Sequence, residues 1–379
     1  MRDLLEIRKD IDAVDHQIVD LYLRRLELAG QVAQSKIETG KHVYDAVREA
    51  EKLDALGRLA PDSFSEKGIR ELFTQVMSGS RKKQYAILAE HGRVANVGYS
   101  KVDAFDFQNA GIIYQGVEGA YAEVALETFF GKNHDIRSVK SWRDAFLELK
   151  EGRADYAVLP IENSTAGAVA ENYDLMSEYS DSAAIIGEQI IPINHCLLGL
   201  PEAKLTDIKT VYSHPQALMQ CSDYLRNQHP DIESRAVQNT AFSARKVKED
   251  GDISQASIAG EINAKLYGLK VLDSCIQDEA VNETRFLILS RKHQYLESAK
   301  TLSLSFTLGN DMGSLYHILS NFAYNGLNLT RIESRPLQGR PWEYRFFVDC
   351  EGNLSDSAVE NCLLGLVEET VSLQVLGNY

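Results

Sequence analysis

Residues 4–32 read LLEIRKDIDAVDHQIVDLYLRRLELAGQV. Leu4, Ile7, Ile11, Val14, Ile18, Leu21, Leu28 and Val32 fall on alternating steps of three and four, a heptad seam. The spacing predicts one helix from residue 3 to about 39, closed by Gly40, which suits a left-handed cap. Such a helix spans about 50 Å. Short helices of the same chain cannot cover so long a stripe, so a partner chain is expected along it. Where the seam calls for an apolar residue, the sequence has Arg25. An unpaired guanidinium buried in a seam is costly, so Arg25 calls for an anionic partner or a ligand. Lys36 lies eleven residues on, on nearly the same face and about 16 Å along the axis. Two extended side chains could clamp one small dianion there.

Outward from this helix, residues 44–59 predict a second helix, stopped before Pro61. Ser63 with Glu66 reads as a capping box opening a third helix towards Tyr85. Asp45, Arg48 and Glu49 share one face at i, i+3 and i+4, as do Ser80 and Gln84 at i and i+4. Arg8 sits seventeen residues before Arg25, about 25 Å away, so both can serve one small ligand only if Arg8 comes from another protomer. Taken one at a time, these charges also fit a solvated helix face with i, i+4 ion pairs.

As a set, Arg8, Arg25, Lys36, Asp45, Arg48, Glu49, Ser80 and Gln84 resemble the all-helical chorismate mutase family over residues 1–90. The matching stretches are Leu5 to Arg8, Arg-x-Glu-Leu-Ala at 25–29, Lys36, and Asp-x-x-Arg-Glu at 45–49. The resemblance implies that Arg8 (from the partner chain), Arg25 and Arg48 grip the carboxylates of chorismate. Lys36 and Gln84 would donate to its ether oxygen, Glu49 and Asp45 would hold the ring hydroxyl, and Ser80 would lie beside a carboxylate. An intramolecular Claisen shift needs no cofactor. It needs a compact conformer held in place and stabilisation of charge growing on the ether oxygen.

Residues 91–110 are polar and mixed and read as a linker. From Gly111 to about 291, short apolar runs alternate with helical stretches, which predicts an α/β domain large enough for two lobes and a cleft. Four clusters fall where strands end or helices begin: PIENSTAG at 160–167, YSHPQAL at 212–218, QNTA at 238–241 and NETRF at 282–286. Singly, each reads as a cap or turn; together they stand where α/β sheets bind anions. A Ser/His/Asp triad on Ser213 and His214 is disfavoured, because adjacent residues on a turn rarely face each other.

These clusters, with Tyr-Gly-Leu at 267–269, resemble prephenate dehydratase, whose fold is a two-lobed α/β structure similar to periplasmic binding proteins. The resemblance implies that Thr284 is the essential hydroxyl. Asn163, Ser164, Thr165, Ser213, Gln216, Thr240, Arg285 and Phe286 are the candidate substrate contacts. The family's opening Gly-Pro-x-Gly-Ser/Thr-Phe/Tyr-Ser stands here as Gly116-Val-Glu-Gly119-Ala120-Tyr121-Ala122, without its hydroxyls, and Asn239 stands where Ser is common.

Residues 300–379 predict the order βαββαβ, a small ferredoxin-like sandwich. Gly313 opening the first helix and Glu333-Ser334-Arg335-Pro336 ending the second strand resemble the ACT domain, in its phenylalanine-responsive version. Gly313, Ser314, Leu315, Asn328, Leu329, Glu333, Ser334 and Arg335 are the candidate effector contacts. The family's Gly-Ala-Leu-Val is Gly313-Ser314-Leu315-Tyr316 here. The three resemblances in this order imply a bifunctional chorismate mutase/prephenate dehydratase under phenylalanine feedback. Two alternatives are an isochorismate pyruvate lyase on the helical segment and a catalytically silent amino-acid sensor.

Charge and cysteine usage narrow the partners. The chain has 379 residues and a formal charge of −15. Residues 1–90 hold 15 Lys/Arg against 16 Asp/Glu, so the remainder carries 25 against 39, and nearly all the excess lies outside the helices. An acidic surface disfavours nucleic acid. Five cysteines without metal-type spacing fit scattered buried thiols of a cytoplasmic protein rather than disulfides or a metal site. The opening MRDLLEIRKDID is charged throughout, unlike a signal peptide, and the apolar run from Gln189 to Pro201 is too short to span a bilayer. Small-molecule substrates, no metal, no cofactor, no membrane and a homodimer or higher assembly are the expectation.

Overall fold

A computed structural model describes residues 2–132 and 134–379. Residues up to Val97 with Lys300–Val375 form one compact unit, and Gly98–Ala299 with Leu376–Tyr379 form a second.

The first unit opens with three helices, α1 (Leu4–Thr39), α2 (Ala46–Gly57) and α3 (Ser63–Glu90). Gly40 closes α1 in the left-handed conformation (φ 67°), its N–H donating to the Lys36 carbonyl at 2.9 Å. The anticipated capping box at Ser63 is corrected. Asp62 is the N-cap of α3, accepting from Ser65 N at 2.8 Å, because its carboxylate reaches the free amide one residue before the apolar pattern begins. Helix α1 packs on α3 through Ala29 and Ala33, while Leu4, Ile11, Val14, Ile18, Leu21 and Leu28 of the seam are all more than half exposed.

The second unit follows in chain order. Its first lobe holds β1 (Ser100–Val102), β2 (Gly111–Gln115), α4 (Tyr121–Phe130), β3 (Asp135–Val139), α5 (Trp142–Lys150), β4 (Tyr156–Asn163), β5 (Gly167–Ala168), α6 (Ala170–Glu178) and β6 (Ala184–Pro192). The second lobe holds β7 (Cys196–Gly199), β8 (Thr210–Ser213), α7 (Pro215–Gln220), α8 (Ser222–Gln228), β9 (Glu233–Ala236), α9 (Thr240–Asp250), β10 (Gln255–Ala259), α10 (Ile262–Tyr267) and β11 (Lys270–Asp273). The chain then returns through β12 (Glu283–Ser290) and β13 (Gln294–Leu296).

In the first lobe β12 pairs antiparallel with both β4 and β6, and β2 lies parallel to β3 and β4. The second lobe is a five-stranded sheet in the order β11-β7-β10-β8-β9. Each sheet buries its own apolar cluster, one around Ile112, Ile186 and Ile288 and one around Leu197, Val211 and Ile258. The stretch read as a linker contains β1, which pairs parallel with β13. The chain passes from one lobe to the other after β6 and comes back before β12, so the ends of β4 and β12 face the crossover.

The first unit is completed by β14 (Thr301–Thr307), α11 (Ser314–Tyr324), β15 (Leu329–Pro336), β16 (Tyr344–Glu351), α12 (Ser357–Glu369) and β17 (Ser372–Asn378) as far as Val375. This is the anticipated βαββαβ order, with strands arranged β15-β16-β14-β17. Phe306, Phe322 and Leu363 are its buried centre.

Cys196, Cys221, Cys350 and Cys362 are buried, but Cys275 is exposed, correcting the expectation that all five thiols are interior. Among the described residues, no helix is long and apolar enough to cross a membrane, and no cluster of metal-ligating side chains occurs.

Candidate active sites

The helical site grows from the packing of α1 on α3. Small Ala29 and Ala33 let the helices approach, and this turns Arg25 towards α3. Its Nη1 donates to the Val76 carbonyl at 2.9 Å and to Ser80 Oγ. Lys36 Nζ donates to the Val43 carbonyl at 2.9 Å. Both cations are half-buried, and burial lowers their pKa; Glu49 opposes this at Arg25, and Glu368 most strongly opposes it at Lys36. Lys36 also lies in the field of Arg48, Asp45 and Glu49.

Asp45 caps α2 by accepting from Arg48 N at 3.0 Å, which fixes where Arg48 and Glu49 leave the first turn. Gln84 is buried. Its Nε2 donates to the Ser80 carbonyl at 3.2 Å, leaving one Nε2 hydrogen for a ligand, and its Oε1 has no partner. Seven of the eight anticipated residues thus stand on three neighbouring helical segments. The eighth, Arg8, is exposed on α1, and the uninterrupted helix keeps it about 25 Å from Arg25.

Arg81 was not legible as part of this site, because Ser-Arg-Lys-Lys at 80–83 looks like a solvated charge run. It is buried, and its guanidinium donates to both oxygens of Glu49, at 2.7 Å to Oε1.

The second site lies at the ends of β4 and β12. Asn163 and Thr284 are cross-strand partners, and Asn163 Nδ2 donates to Thr284 Oγ1 at 2.9 Å and to Asn282 Oδ1 at 2.7 Å. The other end of the amide is pinned. Asn163 Oδ1 accepts from the backbone N–H groups of Thr165 (3.1 Å) and Ala166 (2.9 Å) and from Thr165 Oγ1 (2.8 Å). Ser164 Oγ accepts from Glu283 N at 2.9 Å, tying the loop after β4 to the start of β12.

From the second lobe, Gln220 Nε2 donates to Thr165 Oγ1 at 2.6 Å. Gln220 Oε1 in turn lies 3.0 Å from Nε2 of His195, which is buried between β6 and β7. Burial lowers the pKa of His195, against a smaller opposing effect of the Gln220 bond. Gln220 and His195 were missed. The usable signal was the i, i+4 spacing of Gln216 and Gln220, which places both on one face of α7.

Three anticipated contacts are corrected. Ser213 is fully buried and its hydroxyl donates at 2.6 Å to the Ile258 carbonyl, inside the second sheet. Phe286 packs in the apolar cluster of the first lobe. Arg285 follows Thr284 directly, so strand alternation sends it to the opposite face, where it pairs with Glu188 (2.6 Å) and donates to Tyr379 Oη (2.7 Å).

Gln216 and Thr240 lie at the starts of α7 and α9, partly exposed, outside the Asn163–Thr284 network. Asn239 caps α9 in place of serine, accepting from Phe242 N at 2.7 Å. His214 caps α7 through Nδ1, so neither it nor Ser213 is placed for nucleophilic catalysis.

In the C-terminal fold, Gly313 is left-handed (φ 83°) and Ser314 Oγ donates to the Gly309 carbonyl at 3.1 Å. Leu315 follows in the first turn of α11, and Asn328 and Leu329 lead into β15. Within β15, Glu333 and Arg335 lie on one face, opposite Phe347 and Arg345, and Ser334, opposite Phe346, lies on the other, while a bulge separates Leu329 from Arg331.

Two stretches of the chain match known families. Sequence models of the chorismate mutase type II and prephenate dehydratase families match residues 7–85 and 112–294. The bifunctional chorismate mutase/prephenate dehydratase of Escherichia coli (strain K12) is 33% identical over 383 residues, covering 99% of this chain and 96% of that protein. The Arthrobacter aurescens prephenate dehydratase solved in complex with L-Phe aligns with TM-score 0.65 and 32% identity, over 71% of this chain and 89% of that chain. A structure described as a novel type of quorum quenching acylase aligns with TM-score 0.64 and 30% identity, over 71% of this chain and 97% of that chain. On its full-length likeness to such relatives, the chain belongs to the bifunctional chorismate mutase/prephenate dehydratase family.

Proposed function

We propose that the chain converts chorismate to prephenate at the helical site and prephenate to phenylpyruvate at the β4–β12 site, with L-phenylalanine as feedback inhibitor. At the first site Arg25 and Arg48, with Arg8 of a second copy, hold the two carboxylates. Lys36 and Gln84 donate to the ether oxygen as the C–O bond breaks and the C–C bond forms. Asp45 and Glu49 accept from the ring hydroxyl, and Ser80, already bonded to Arg25, adjoins a carboxylate. Arg25, Lys36 and Gln84 are already held by hydrogen bonds to the chain, which limits their reorganisation during the charge shift. The exposed apolar seam of α1 supports a homodimer that brings Arg8 to the partner's site.

At the second site the carrying observation is the direction of the Asn163–Thr284 hydrogen bond. Since the amide donates to Oγ1, the Thr284 hydroxyl hydrogen is free to point at a ligand. That hydrogen is directed at the leaving hydroxyl of prephenate. The C–CO2 bond breaks with release of CO2, its electron pair enters the ring as the C–O bond breaks, the departing hydroxide takes the Thr284 proton to leave as water, the threonine oxygen regains a proton from solvent, and aromatisation drives the step. Asn163, Ser164, Thr165, Gln216 and Thr240 are the substrate-binding set.

The C-terminal βαββαβ fold is read as an ACT domain, with Gly313, Ser314, Leu315, Asn328, Leu329, Glu333, Ser334 and Arg335 as phenylalanine contacts. Phenylalanine must favour a less active arrangement to inhibit. The test is turnover by the purified full chain. Chorismate gives prephenate and then phenylpyruvate, and added L-phenylalanine slows phenylpyruvate formation. Failure to form phenylpyruvate from supplied prephenate would overturn the second step, and failure to consume chorismate the first.

A further inference from the structure

The last turn of α12 ends in Glu368-Glu369, and both carboxylates reach the helical site. Glu369 Oε1 accepts from Arg81 Nε at 2.9 Å and its Oε2 from Arg81 Nη2 at 3.2 Å, while Nη1 of the same guanidinium holds Glu49. Arg81 and Glu369 are each less than a tenth exposed in their side chains. Glu368 accepts from Val43 N and Tyr44 N, both at 2.7 Å, on the turn that supplies the Lys36 partner Val43 and leads into Asp45. Arg81 also stacks over the Tyr44 ring, 5.0 Å from its centroid. Burial opposes the charge on Arg81, but Glu369 and Glu49 outweigh it and hold the guanidinium protonated.

A buried guanidinium forked between two carboxylates has little freedom, since moving it from one leaves the other unpaired in a low-dielectric setting. Glu49 is therefore aimed by a residue that is itself aimed from α12. We propose that Arg81 is a positioning residue of the chorismate site, and that Glu369 of the C-terminal fold sets the mutase's grip on the substrate's ring hydroxyl through it. This rests on the reading of residues 1–90 as the chorismate site and adds to it a fixed connection to the fold read as the regulator.

The experiment uses the full chain and the variants Glu369→Gln and Arg81→Lys. Gln keeps the shape of Glu369 and removes its charge; Lys keeps the charge of Arg81 and removes the fork. Both are expected to raise the KM for chorismate about 5- to 20-fold with kcat within about twofold, because the lost contact acts in binding. Dehydratase turnover of supplied prephenate stays unchanged. An unchanged KM in Glu369→Gln overturns the proposal. So does a fall in kcat at constant KM, which reports a smaller folded fraction rather than a misplaced Glu49. The wild-type chain assayed beside them separates the two claims: absence of chorismate turnover there refutes the site reading itself, whereas normal wild-type turnover with unshifted variants refutes the connection alone.

Discussion

Asn163 and Thr284 sit opposite each other on β4 and β12, side chain bonded to side chain at 2.9 Å, with the amide as donor. Donors from Thr165 and Ala166 face Asn163 Oδ1, and the acceptors Asn282 Oδ1 and the Glu283 carbonyl face its Nδ2, so the amide has one orientation, and that orientation frees the threonine proton. Thr284→Ala is expected to lower phenylpyruvate formation at least 100-fold, the scale of a lost proton donor, with mutase turnover intact. Parallel assays on chorismate and prephenate check it. Equal loss of both activities would mean that the two sites are not separate.

Ser213 gives the opposite expectation. Its hydroxyl is spent on the Ile258 carbonyl inside the second sheet. Ser213→Ala should cost about 1–2 kcal/mol of stability by leaving a buried acceptor short of a donor. The KM for prephenate should not move. Urea unfolding and steady-state kinetics measure the two quantities, and a large KM rise at unchanged stability would return Ser213 to the substrate contacts.

The distance between Arg8 and Arg25 along α1 predicts complementation. Arg8→Ala and Arg25→Ala homodimers should each be nearly inactive as mutases. After subunit exchange, half of the dimers are mixed and each carries one intact site of two, so about a quarter of wild-type activity should return. No recovery, with exchange verified by differently tagged chains, would place both arginines in one protomer's site or none.

His195 predicts a pH effect on stability. Its pKa is lowered in the folded chain, chiefly by burial, so below about 6.5 the unfolded chain binds the proton more readily. The contribution from keeping this ring neutral is therefore full above the unfolded pKa and is lost as pH falls through that value towards the folded one. His195→Gln, which can still donate to Gln220, should flatten the stability slope between about pH 7 and 5.5. Denaturant titrations at the two pH values would reveal it; an unaltered slope would exclude His195 as the origin.

Much of this architecture could be read from residue patterns because it rests on repeats of burial. The heptads of α1, the run Ala154–Pro160 before a polar turn, and the alternation of TLSLSFTL each describe one element against one environment. Strand β3 was not legible, since Asp135–Val139 is a mostly polar edge strand with only one neighbour. The three-residue strands β1 and β13 carry too few residues for a period.

Among the site residues, the helical set was legible because its charges interrupt an apolar pattern. Ser213 was misread because a hydroxyl at a helix start looks the same whether it faces a cleft or a neighbouring strand. Arg81 was invisible because its partners, Glu49 and Glu369, lie 32 residues before it and 288 after it. No local pattern encodes a bond of that range.

The bare stripe on α1 has a consequence for how the enzyme responds to dilution. Six large apolar side chains more than half in water form a face suited to a second copy, and on the proposed site a lone chain lacks the partner's arginine. On the proposed sharing of Arg8 between copies, catalysis there is bimolecular in protein, whereas the Asn163–Thr284 cluster lies within a single chain. As protein concentration falls below the self-association constant, prephenate production should fade first while prephenate consumption continues, so the ratio of the two rates becomes a gauge of how many chains are paired.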